Sequence, residues 1–329
     1  MSAPPGKTPS GKAAFVALVG RPSAGKSTLL NLLCGEQVAI VSPSPQTTRN
    51  AIRGVVNRDR GQLVLVDTPG LHLSGKKFNR RLTETALRAA GESDLILYVL
   101  DASRPPGPEE EAIAAGLASR LAGTGGGSLA AAVNKMDSPA ADFARTADFL
   151  AGAFPENPLD KDRIIPLSAL TGEGAEALLS ALYDLAPPGE PLYPADCYTD
   201  QEIDFRIAEV IRGKALIHLR QELPHAIYVE VADREWRPLF DPGSTPGEKP
   251  PPGAPPRRRL WVRAFIVCER ESQKGMIVGR GGAVIKAIGE AARKEMNRIF
   301  DWKVDLDLRV KTGKDWRRDD RVLRKLLGR

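Results

Sequence analysis

The sequence has few of the residues that build disulfide-rich or metal-centred proteins. Its 329 residues include three cysteines and three histidines, all widely spaced and without a CxxC pair. An odd number of scattered cysteines favours free thiols in a reducing compartment such as the cytoplasm. These six residues therefore give little support to a disulfide framework or a zinc site.

Long apolar runs are also missing. No stretch approaches the roughly 20 apolar residues that a membrane-spanning helix needs. The N-terminus, MSAPPGKTPSGK, lacks the apolar core of a signal peptide. We predict a disordered lead over residues 1–12, a globular chain after it, and a cytoplasmic location.

The charge is positive and unevenly distributed. The net charge is +6, yet residues 257–329 hold 21 Lys and Arg against 10 Asp and Glu, whereas the rest holds 26 against 31. A basic C-terminal part suits a polyanion partner, although a solvated basic face gives the same count. The Arg run at 257–259 and the basic tail could contact RNA phosphates or an anionic membrane surface, or be solvated.

Residues 13–186 alternate near-continuous apolar runs with amphipathic stretches. This alternation is typical of βαβ units and a mostly parallel sheet with helices on both faces, so we predict an α/β domain. The strand candidates are FVALVG, LVLVDT, DLILYVLD, LAAAVNK and RIIPLS, and the helix candidates are Ser27–Cys34, Arg80–Ala90 and Glu109–Leu121.

Prolines then interrupt the pattern, and four of them fall between Pro187 and Pro194. We predict a linker over residues 187–200 and a second domain over 201–329. The second part alternates in the order α-β-β-α-α-β, which indicates an α+β fold. A proline-rich stretch, 241–259, is predicted to be an insertion between two of its strands.

The first apolar run leads into GRPSAGKST, which matches GxxxxGK[ST]. In this pattern glycines let backbone N–H groups surround phosphates, and the following helix offers its positive end. Lys26 would reach the β- and γ-phosphates, and Ser27 would offer its hydroxyl to Mg²⁺. The predicted nucleotide-binding residues here are Gly20, Arg21, Pro22, Ser23, Ala24, Gly25, Lys26, Ser27 and Thr28.

Two further motifs would complete a phosphate and Mg²⁺ site. In PQTTRN, Pro45–Asn50, we assign Thr48 to Mg²⁺ because related GTPases place this threonine directly before an arginine. In DTPG, Asp67 would hold Mg²⁺ and the Gly70 N–H would meet the γ-phosphate, with Thr68 and Pro69 beside the nucleotide. The predicted metal ligands are therefore Ser27, Thr48 and Asp67, and the predicted catalytic residues are Lys26, Thr48 and Gly70.

Two motifs at later strand ends point to guanine. The Asp137 carboxylate of NKMD can accept from N1–H and the exocyclic amine of guanine, a donor pair that adenine lacks. The Ala169 N–H of SAL would back guanine O6. Because ligands of such sheets bind at the carboxyl ends of strands, we predict GTP, bound on this side by Asn134, Lys135, Met136, Asp137, Ser168, Ala169 and Leu170.

Leu71 follows DTPG, at a position where many GTPases carry a glutamine that orients the attacking water. Leucine cannot orient water, so we expect slow hydrolysis without an activator. We include Leu71 among the residues beside the nucleotide.

The second glycine cluster, MIVGRGGAVIKAIG, contains a GxxG loop between an apolar segment and an amphipathic helix. In KH domains this loop clamps a single-stranded nucleic-acid backbone. A lone GxxG can be a plain turn, but the basic segment and the α-β-β-α-α-β order favour RNA. The predicted RNA contacts are Gly279, Arg280, Gly281, Gly282 and Lys286.

Taken together, these motifs resemble the Era family of bacterial GTPases over residues 14 to about 325. The resemblance rests on GRPSAGKSTLLN, QTTRN, DTPGLH, NKMD, YTDQ and GMIVGRGGAVIKAIGEAARK. It implies a GTPase domain joined to a type II KH domain that binds near the 3′ end of 16S rRNA and contacts the 30S subunit. It also implies possible contact with the cytoplasmic face of the inner membrane. The sequence gives no clear signal for an oligomer, and we expect a monomer.

Three features depart from that family. Ser23 stands where the family usually has an asparagine associated with potassium, which puts potassium-stimulated hydrolysis in doubt. The proline-rich insertion is longer than expected, and the first dozen residues have no counterpart.

The sequence thus predicts a GTP-hydrolysing switch that binds 16S rRNA during assembly of the small ribosomal subunit. In it, GTP·Mg²⁺ would order the Gln46–Asn50 loop. One alternative is an RNA-binding scaffold that retains nucleotide for stability. Another is a related GTPase of tRNA modification, which the single phosphate loop and the C-terminal GxxG oppose.

Overall fold

The chain divides into two compact units, residues 1–200 with 320–329 and residues 201–319. The division after Asp200 falls where the predicted linker ends, and the last ten residues group with the first unit. The computed structural model describes residues 11–42, 47–70, 86, 88–123, 128–156, 158–220, 223–238 and 258–327.

The first unit is built on a six-stranded sheet in the order β2-β3-β1-β4-β5-β6. Neighbouring strands are parallel except β2 and β3. Every residue of β4 is buried, as its apolar sequence predicts for a strand covered on both faces. The strands are β1 (Lys12–Val19), β2 (Ile52–Arg58), β3 (Gly61–Asp67), β4 (Leu95–Asp101), β5 (Ser128–Asn134) and β6 (Ile164–Pro166).

Helices connect the parallel strands, and the predicted α/β architecture is confirmed. Of the predicted helix Arg80–Ala90, residues 86 and 88–90 are helical, and the others lie outside the described residues. The helices are α1 (Lys26–Cys34), α2 (Pro108–Gly123), α3 (Phe143–Ala153) and α4 (Ala175–Leu185). Strand β1 begins at Lys12, one residue inside the predicted disordered lead.

Strand β2 is absent from the predicted strands. Arg53 and Gly54 interrupt its apolar pattern, so the run does not stand out in the sequence. Gly54 is needed because a Cβ there would lie 2.5 Å from Cys34 Sγ and 2.8 Å from Leu30 Cδ1. The structure therefore places an edge strand immediately after the Thr47–Asn50 segment.

Residues 187–200, which we call the strap, are bound along the edge of the first unit. Gln62 Oε1 accepts from the Leu192 and Tyr193 N–H groups at 2.7 and 2.8 Å. Farther along, the Val55 N–H donates to Tyr198 O at 2.9 Å. The prolines end the helical pattern as predicted, but the segment that follows is anchored to β2 and β3.

The second unit is an α+β fold with a three-stranded sheet in the order β7-β8-β9. Strands β7 and β8 are antiparallel, and β8 and β9 are parallel. The chain order is α-β-β-α-α-β, which confirms the prediction. Its elements are α5 (Ile203–His218), β7 (Ile227–Pro238), β8 (Arg258–Cys268), α6 (Glu271–Val278), α7 (Ala283–Ile299) and β9 (Lys303–Thr312).

The core of this unit forms where α5, α6 and α7 cover one face of the sheet. Ile288, Ala292 and Met296 recur at four-residue spacing and are fully buried on α7. Most of the predicted insertion, 241–259, lies outside the described residues. Its last two arginines already belong to β8, where Arg259 pairs with Asp305 at 3.0 Å.

A final helix, α8 (Asp320–Leu327), follows the second unit. None of the helices in the described parts of the chain combines the length and apolarity that a membrane crossing requires.

Candidate functional site

The predicted nucleotide motifs meet at the carboxyl edge of the first sheet. Asp67 and Asn134 are the last residues of β3 and β5, and Gly20 follows β1. A cavity of about 480 Å³ opens at this edge. Its walls are Pro22, Ser23, Gly25, Lys26, Ser27, Thr28, Ile40, Val41, Ser42, Thr47, Thr48, Gly70, Arg104 and Lys135.

Two glycines of the phosphate loop have no room for a side chain. A Cβ on Gly20 would lie 2.3 Å from Val99 O, and one on Gly25 would lie 2.2 Å from Asn134 Nδ2. Gly25 also has φ +97°, a left-handed conformation that glycine adopts without strain. The loop is thereby held close against β4 and the Asn134 side chain.

Ser23 is exposed, lines the cavity and has φ +61°. This left-handed conformation is costly for most residues and is tolerated by asparagine more readily than by serine. The backbone at this position therefore suits asparagine, which usually stands here in the family that the sequence resembles.

Lys26 lies at the bottom of the cavity and is only 6% exposed. Its Nζ donates to the carbonyls of Gly20 and Arg21 at 3.0 and 2.9 Å. Burial lowers the pKa of Lys26 to about 8, although the Asp67 carboxylate opposes this shift. The ammonium group is thus fixed under the loop that would surround phosphates.

The three predicted metal ligands form one cluster of oxygen atoms, in which Thr48 and Asp67 are buried and Ser27 is half-buried. Asp67 Oδ2 accepts from Ser27 Oγ at 2.6 Å and from Thr48 Oγ1 at 3.1 Å, and the two hydroxyl oxygens are 2.8 Å apart. Burial raises the pKa of Asp67, while Lys26 and the two hydroxyls lower it. Asp67 Oδ1 is buried without a hydrogen-bond partner among the described residues.

This cluster matches the chemistry of a magnesium site. Carboxylate and hydroxyl oxygens are hard ligands, and Mg²⁺ in nucleotide sites is bound by one or two protein groups together with phosphates. The unpartnered Asp67 Oδ1 supplies an additional acceptor at the same place. The residues present therefore fit the metal that the motifs predict.

The DTPG motif packs against the phosphate loop. The Thr68 hydroxyl donates to Leu18 O at 2.7 Å. A Cβ on Gly70 would lie 2.6 Å from Pro22 N, so Gly70 lies directly against the phosphate loop. Pro69, which lies between Thr68 and Gly70 in the sequence, is buried. Leu71 lies outside the described residues.

The NKMD and SAL motifs are joined by side-chain hydrogen bonds. Asn134 Nδ2 donates to Ala24 O at 2.8 Å, and its Oδ1 accepts from the Ala169 N–H at 2.9 Å. Asp137 is exposed, and its Oδ1 accepts from Ser168 Oγ at 2.6 Å. The Ala169 N–H, which the sequence assigns to guanine O6, is therefore engaged with Asn134 in this structure.

The outer members of these two motifs differ in exposure. The Met136 N–H donates to Leu167 O at 3.1 Å, which ties NKMD to the end of β6. Leu170 is 78% exposed and does not line the cavity.

The structure also places acidic residues beside the site that the sequence did not single out. Asp101, at the end of β4, pairs with Lys135 and Arg21, and Glu110 pairs with Arg21. The available signal was an acidic residue at the carboxyl end of a buried strand, next in the sheet to Asn134.

In the second unit, the GRGG sequence forms a tight turn between α6 and α7. Gly279, Gly281 and Gly282 all have positive φ, and a Cβ on Gly279 would lie 2.5 Å from Val284 Cγ2. Arg280 and Lys286 are both exposed. The loop thus presents backbone and two cationic side chains to solvent, as a phosphate-binding surface requires.

Comparison with protein families agrees with a nucleotide site in the first unit and a GxxG loop in the second. The family described as 50S ribosome-binding GTPase matches residues 15–124, and a KH domain family matches residues 253–317. GTPase Era of Treponema denticola is 44% identical over 311 residues, covering 94% of this chain and 98% of the relative. GTPase Era of Borreliella afzelii is 39% identical over 316 residues, covering 96% and 99%.

Two solved structures of Era share the fold at a TM-score of 0.82. One is a variant of Aquifex aeolicus Era bound to GDP and AlF₄⁻, 31% identical, covering 96% of this chain and 99% of that one. The other is Era with MgGDPNP and nucleotides 1506–1542 of 16S ribosomal RNA, 32% identical, covering 97% and 99%. With relatives this similar along nearly the whole chain, the protein belongs to the Era family of GTPases and is a GTP hydrolase.

Proposed function

We propose that the protein couples GTP binding and hydrolysis in residues 13–186 to binding of 16S rRNA, near its 3′ end, by residues 201–329. The observation that supports the GTP site most strongly is the cluster of buried Lys26, Thr48 and Asp67 with half-buried Ser27 at the carboxyl edge of the sheet. A relative with the same fold holds MgGDPNP and a 16S rRNA fragment together. We assign the same pair of ligands to this chain.

In the proposed site, Lys26 binds the β- and γ-phosphates while the backbone of Gly20–Thr28 surrounds them. Lys26 already points under this loop, where its two carbonyl contacts fix its direction. The Gly70 N–H, which lies against Pro22, would meet the γ-phosphate. Phosphoryl transfer depends mainly on such positioning and charge.

Ser27, Thr48 and Asp67 are the proposed ligands of Mg²⁺, directly or through water. The ion would neutralise the charge that develops on the phosphate oxygens during hydrolysis. Thr48 belongs to the segment that leads into β2, so its contact with Ser27 and Asp67 ties this segment to the state of the site.

Asp137 is the proposed receptor for the guanine edge. Ser168 holds one of its oxygens at 2.6 Å, and the exposed carboxylate keeps accepting capacity on the other. A carboxylate accepts two hydrogen bonds from N1–H and the exocyclic amine of guanine, and adenine lacks this donor pair. Asn134 joins this side of the site to the phosphate loop.

The Gly279–Gly282 turn, with Arg280 and Lys286, is the proposed clamp for single-stranded rRNA. Its open backbone and exposed cations suit phosphates, while the residue count of 21 basic to 10 acidic from 257 onward favours polyanions in general. We further propose that the partner is the 30S subunit during its assembly. In this proposal the protein acts as a monomer in the cytoplasm, with peripheral contact to the inner membrane as a secondary location.

The direct test is phosphate release from GTP with and without purified 30S subunits. We expect slow release by the protein alone, faster release with 30S subunits, and loss of both in Lys26→Ala. Equal rates with and without 30S subunits would contradict the coupling to ribosome assembly. No release in either condition, with RNA binding intact, would instead support a scaffold that retains nucleotide for stability.

A further inference from the structure

Four charged side chains form a cluster between the phosphate loop and the NKMD motif. Arg21 belongs to the loop, Asp101 ends β4, Glu110 lies in the first turn of α2, and Lys135 follows β5. Of these four, only Lys135 lines the cavity. Two cations and two anions balance, so the cluster has no net charge.

The carboxylate of Asp101 is shared by both cations. Lys135 Nζ lies 2.7 Å and Arg21 Nη2 lies 3.3 Å from the same oxygen, Asp101 Oδ2. Arg21 Nε also lies 2.8 Å from Glu110 Oε1. Lys135 donates a hydrogen bond to this oxygen, whereas Arg21 Nη2 makes an ion pair with it and has no hydrogen-bond partner among the described residues. One carboxylate therefore pairs with both Arg21 and Lys135.

Both acids are buried and fully hydrogen-bonded. The side chains of Asp101 and Glu110 are 2% and 5% exposed. Asp101 Oδ1 accepts from the N–H and hydroxyl of Ser103, and Glu110 Oε2 accepts from the Gly107 N–H at 3.1 Å. Burial acts to raise the pKa of Asp101, but hydrogen bonds from Lys135 and Ser103 outweigh it and hold this pKa below its ordinary value.

Lys135 has a strained backbone in addition to this contact. Its φ of +67° is left-handed, and its N–H donates to Asn134 Oδ1 at 2.7 Å. Such strain persists only where the surroundings fix it, and it clusters at functional sites. Buried ion pairs are also weak contributors to stability, so their use here points to orientation.

We propose that Asp101, supported by Glu110, is a positioning residue that locks Arg21 and Lys135 together and so sets the spacing between the phosphate loop and the guanine-binding motif. A nucleotide that contacts both ends then meets a site already arranged for it, which strengthens its binding. This inference rests on the proposed nucleotide site. It adds a second connection to the direct Asn134–Ala24 hydrogen bond.

The first measurement is the dissociation constant of a fluorescent GDP for the full chain. Asp101→Asn removes the shared charge and is expected to weaken binding at least tenfold. Asp94→Asn is the matched control at the other end of β4, where an exposed carboxylate accepts the Phe15 N–H at 2.8 Å. The control is expected to change binding less than twofold.

The second measurement separates positioning from general destabilisation. The Arg21 side chain does not line the cavity, and the proposal predicts that its effect on GDP passes through Asp101 to Lys135. Arg21→Gln is expected to weaken GDP binding at least fivefold in the otherwise unchanged chain, but less than twofold in a chain that carries Lys135→Gln. This loss of effect is the signature of two residues that act as one unit.

Two results would overturn the inference. One is an unchanged GDP affinity in Asp101→Asn. The other is an equal effect of Arg21→Gln on GDP affinity in the otherwise unchanged chain and in the chain that carries Lys135→Gln. If Asp101→Asn does not fold, the comparison of Arg21→Gln in the two backgrounds decides alone. Failure of the unaltered chain to bind GDP would refute the proposed nucleotide site itself. Binding by that chain together with equal Arg21→Gln effects would refute only the positioning role.

Discussion

At the scale of single residues, Asp67 and Asp137 use the same functional group in opposite environments. Asp67 is completely buried and lies against two hydroxyls and a lysine, which suits a metal ion. Asp137 is exposed and held by a single serine, which leaves its carboxylate open to a base. Burial and the neighbouring groups, and not residue type, separate the two roles.

Asp137→Asn is expected to weaken GTP binding more than tenfold. The change replaces a charged acceptor with an amide that offers one acceptor, and a charge-assisted hydrogen bond contributes about 1.5–3 kcal/mol. Equilibrium titration with a fluorescent GTP analogue measures the change. Asp148→Asn, an equal loss of charge on the exposed side of α3, is the control. An unchanged dissociation constant would show that Asp137 does not read the base.

Ser23→Asn is expected to stabilise the first unit by a fraction of the roughly 1–2 kcal/mol that a left-handed residue costs, because asparagine tolerates this backbone better than serine does. Circular dichroism follows unfolding of the whole chain, and fluorescence of the four tryptophans, all in residues 201–319, identifies the part of that signal that belongs to the second unit. Ser23→Ala, which lacks this tolerance, should give no gain. Equal or lower stability of Ser23→Asn would argue against backbone strain at this position.

At the scale of secondary-structure elements, the sequence predicted five of the six strands of the first unit but missed β2. Continuous apolar runs such as that of β4 reveal strands buried on both faces. Strand β2 has charges and a glycine, and it is defined by pairing with β3 and by packing of Gly54 against Cys34. Such long-range contacts leave no local signal in the sequence.

The same limit applies to the strap and to the charged cluster. The prolines of residues 187–200 predict a break in regular structure, but the hydrogen bonds of Gln62 that anchor the strap join residues about 130 positions apart. Nothing in the sequence near Asp101 and Glu110 distinguishes them from surface acids, because their pairing with Arg21 depends on the fold. In contrast, Lys26, Ser27 and Asp67 were predicted because their motifs have a fixed pattern and fixed places at strand ends, and Thr48 was predicted because related GTPases place this threonine directly before an arginine.

Gln62→Leu is expected to release the strap and destabilise the first unit by about 1–3 kcal/mol. Gln62 is buried, and its amide makes hydrogen bonds to Leu192 N, Tyr193 N, Tyr193 O and Asn57 Oδ1. Faster chymotrypsin cleavage after Tyr198, located by mass spectrometry, measures the release. Glu190→Leu, an exposed change within the strap, serves as the control. Equal cleavage rates would mean that other contacts hold the strap.

In the second unit, a pair between Glu269 and Arg317 connects the end of β8 to the turn that follows β9. The hydrogen bonds of Arg317, which outweigh the opposing effect of burial, hold the pKa of Glu269 below its ordinary value. A carboxylate with a lowered folded-state pKa stabilises the fold above its unfolded pKa of about 4.3. That contribution is lost as the pH falls through the folded-state pKa.

Glu269→Gln should therefore destabilise the second unit at pH 7 by up to about 1 kcal/mol, with a smaller difference from the unaltered chain below pH 4. Urea unfolding of the full chain, followed by tryptophan fluorescence, reports this unit alone. Glu271→Gln removes an exposed carboxylate at the start of α6 and is the control. A difference that stays constant from pH 7 to pH 3 would exclude the ion pair as its source.

At the scale of the whole molecule, one chain carries a nucleotide site in the first unit and a proposed RNA clamp in the second. Thr48 lies four residues before β2, and β2 is hydrogen-bonded to the strap. The last residue of the strap, Asp200, directly precedes the second unit in the sequence. Arg53 on β2 also pairs with Asp200 at 2.9 Å. The chain thus provides a continuous covalent and hydrogen-bonded route from the nucleotide site to residue 200.

The affinity of the full protein for a labelled RNA from the 3′ end of 16S rRNA, compared between the GDPNP·Mg²⁺ and GDP·Mg²⁺ forms, tests this coupling most directly. Fluorescence anisotropy gives both dissociation constants at one salt concentration. We predict binding at least fivefold tighter with GDPNP, within the usual range of coupling between two sites. Equal RNA affinity in the two forms, with equal protection from protease, would contradict the account.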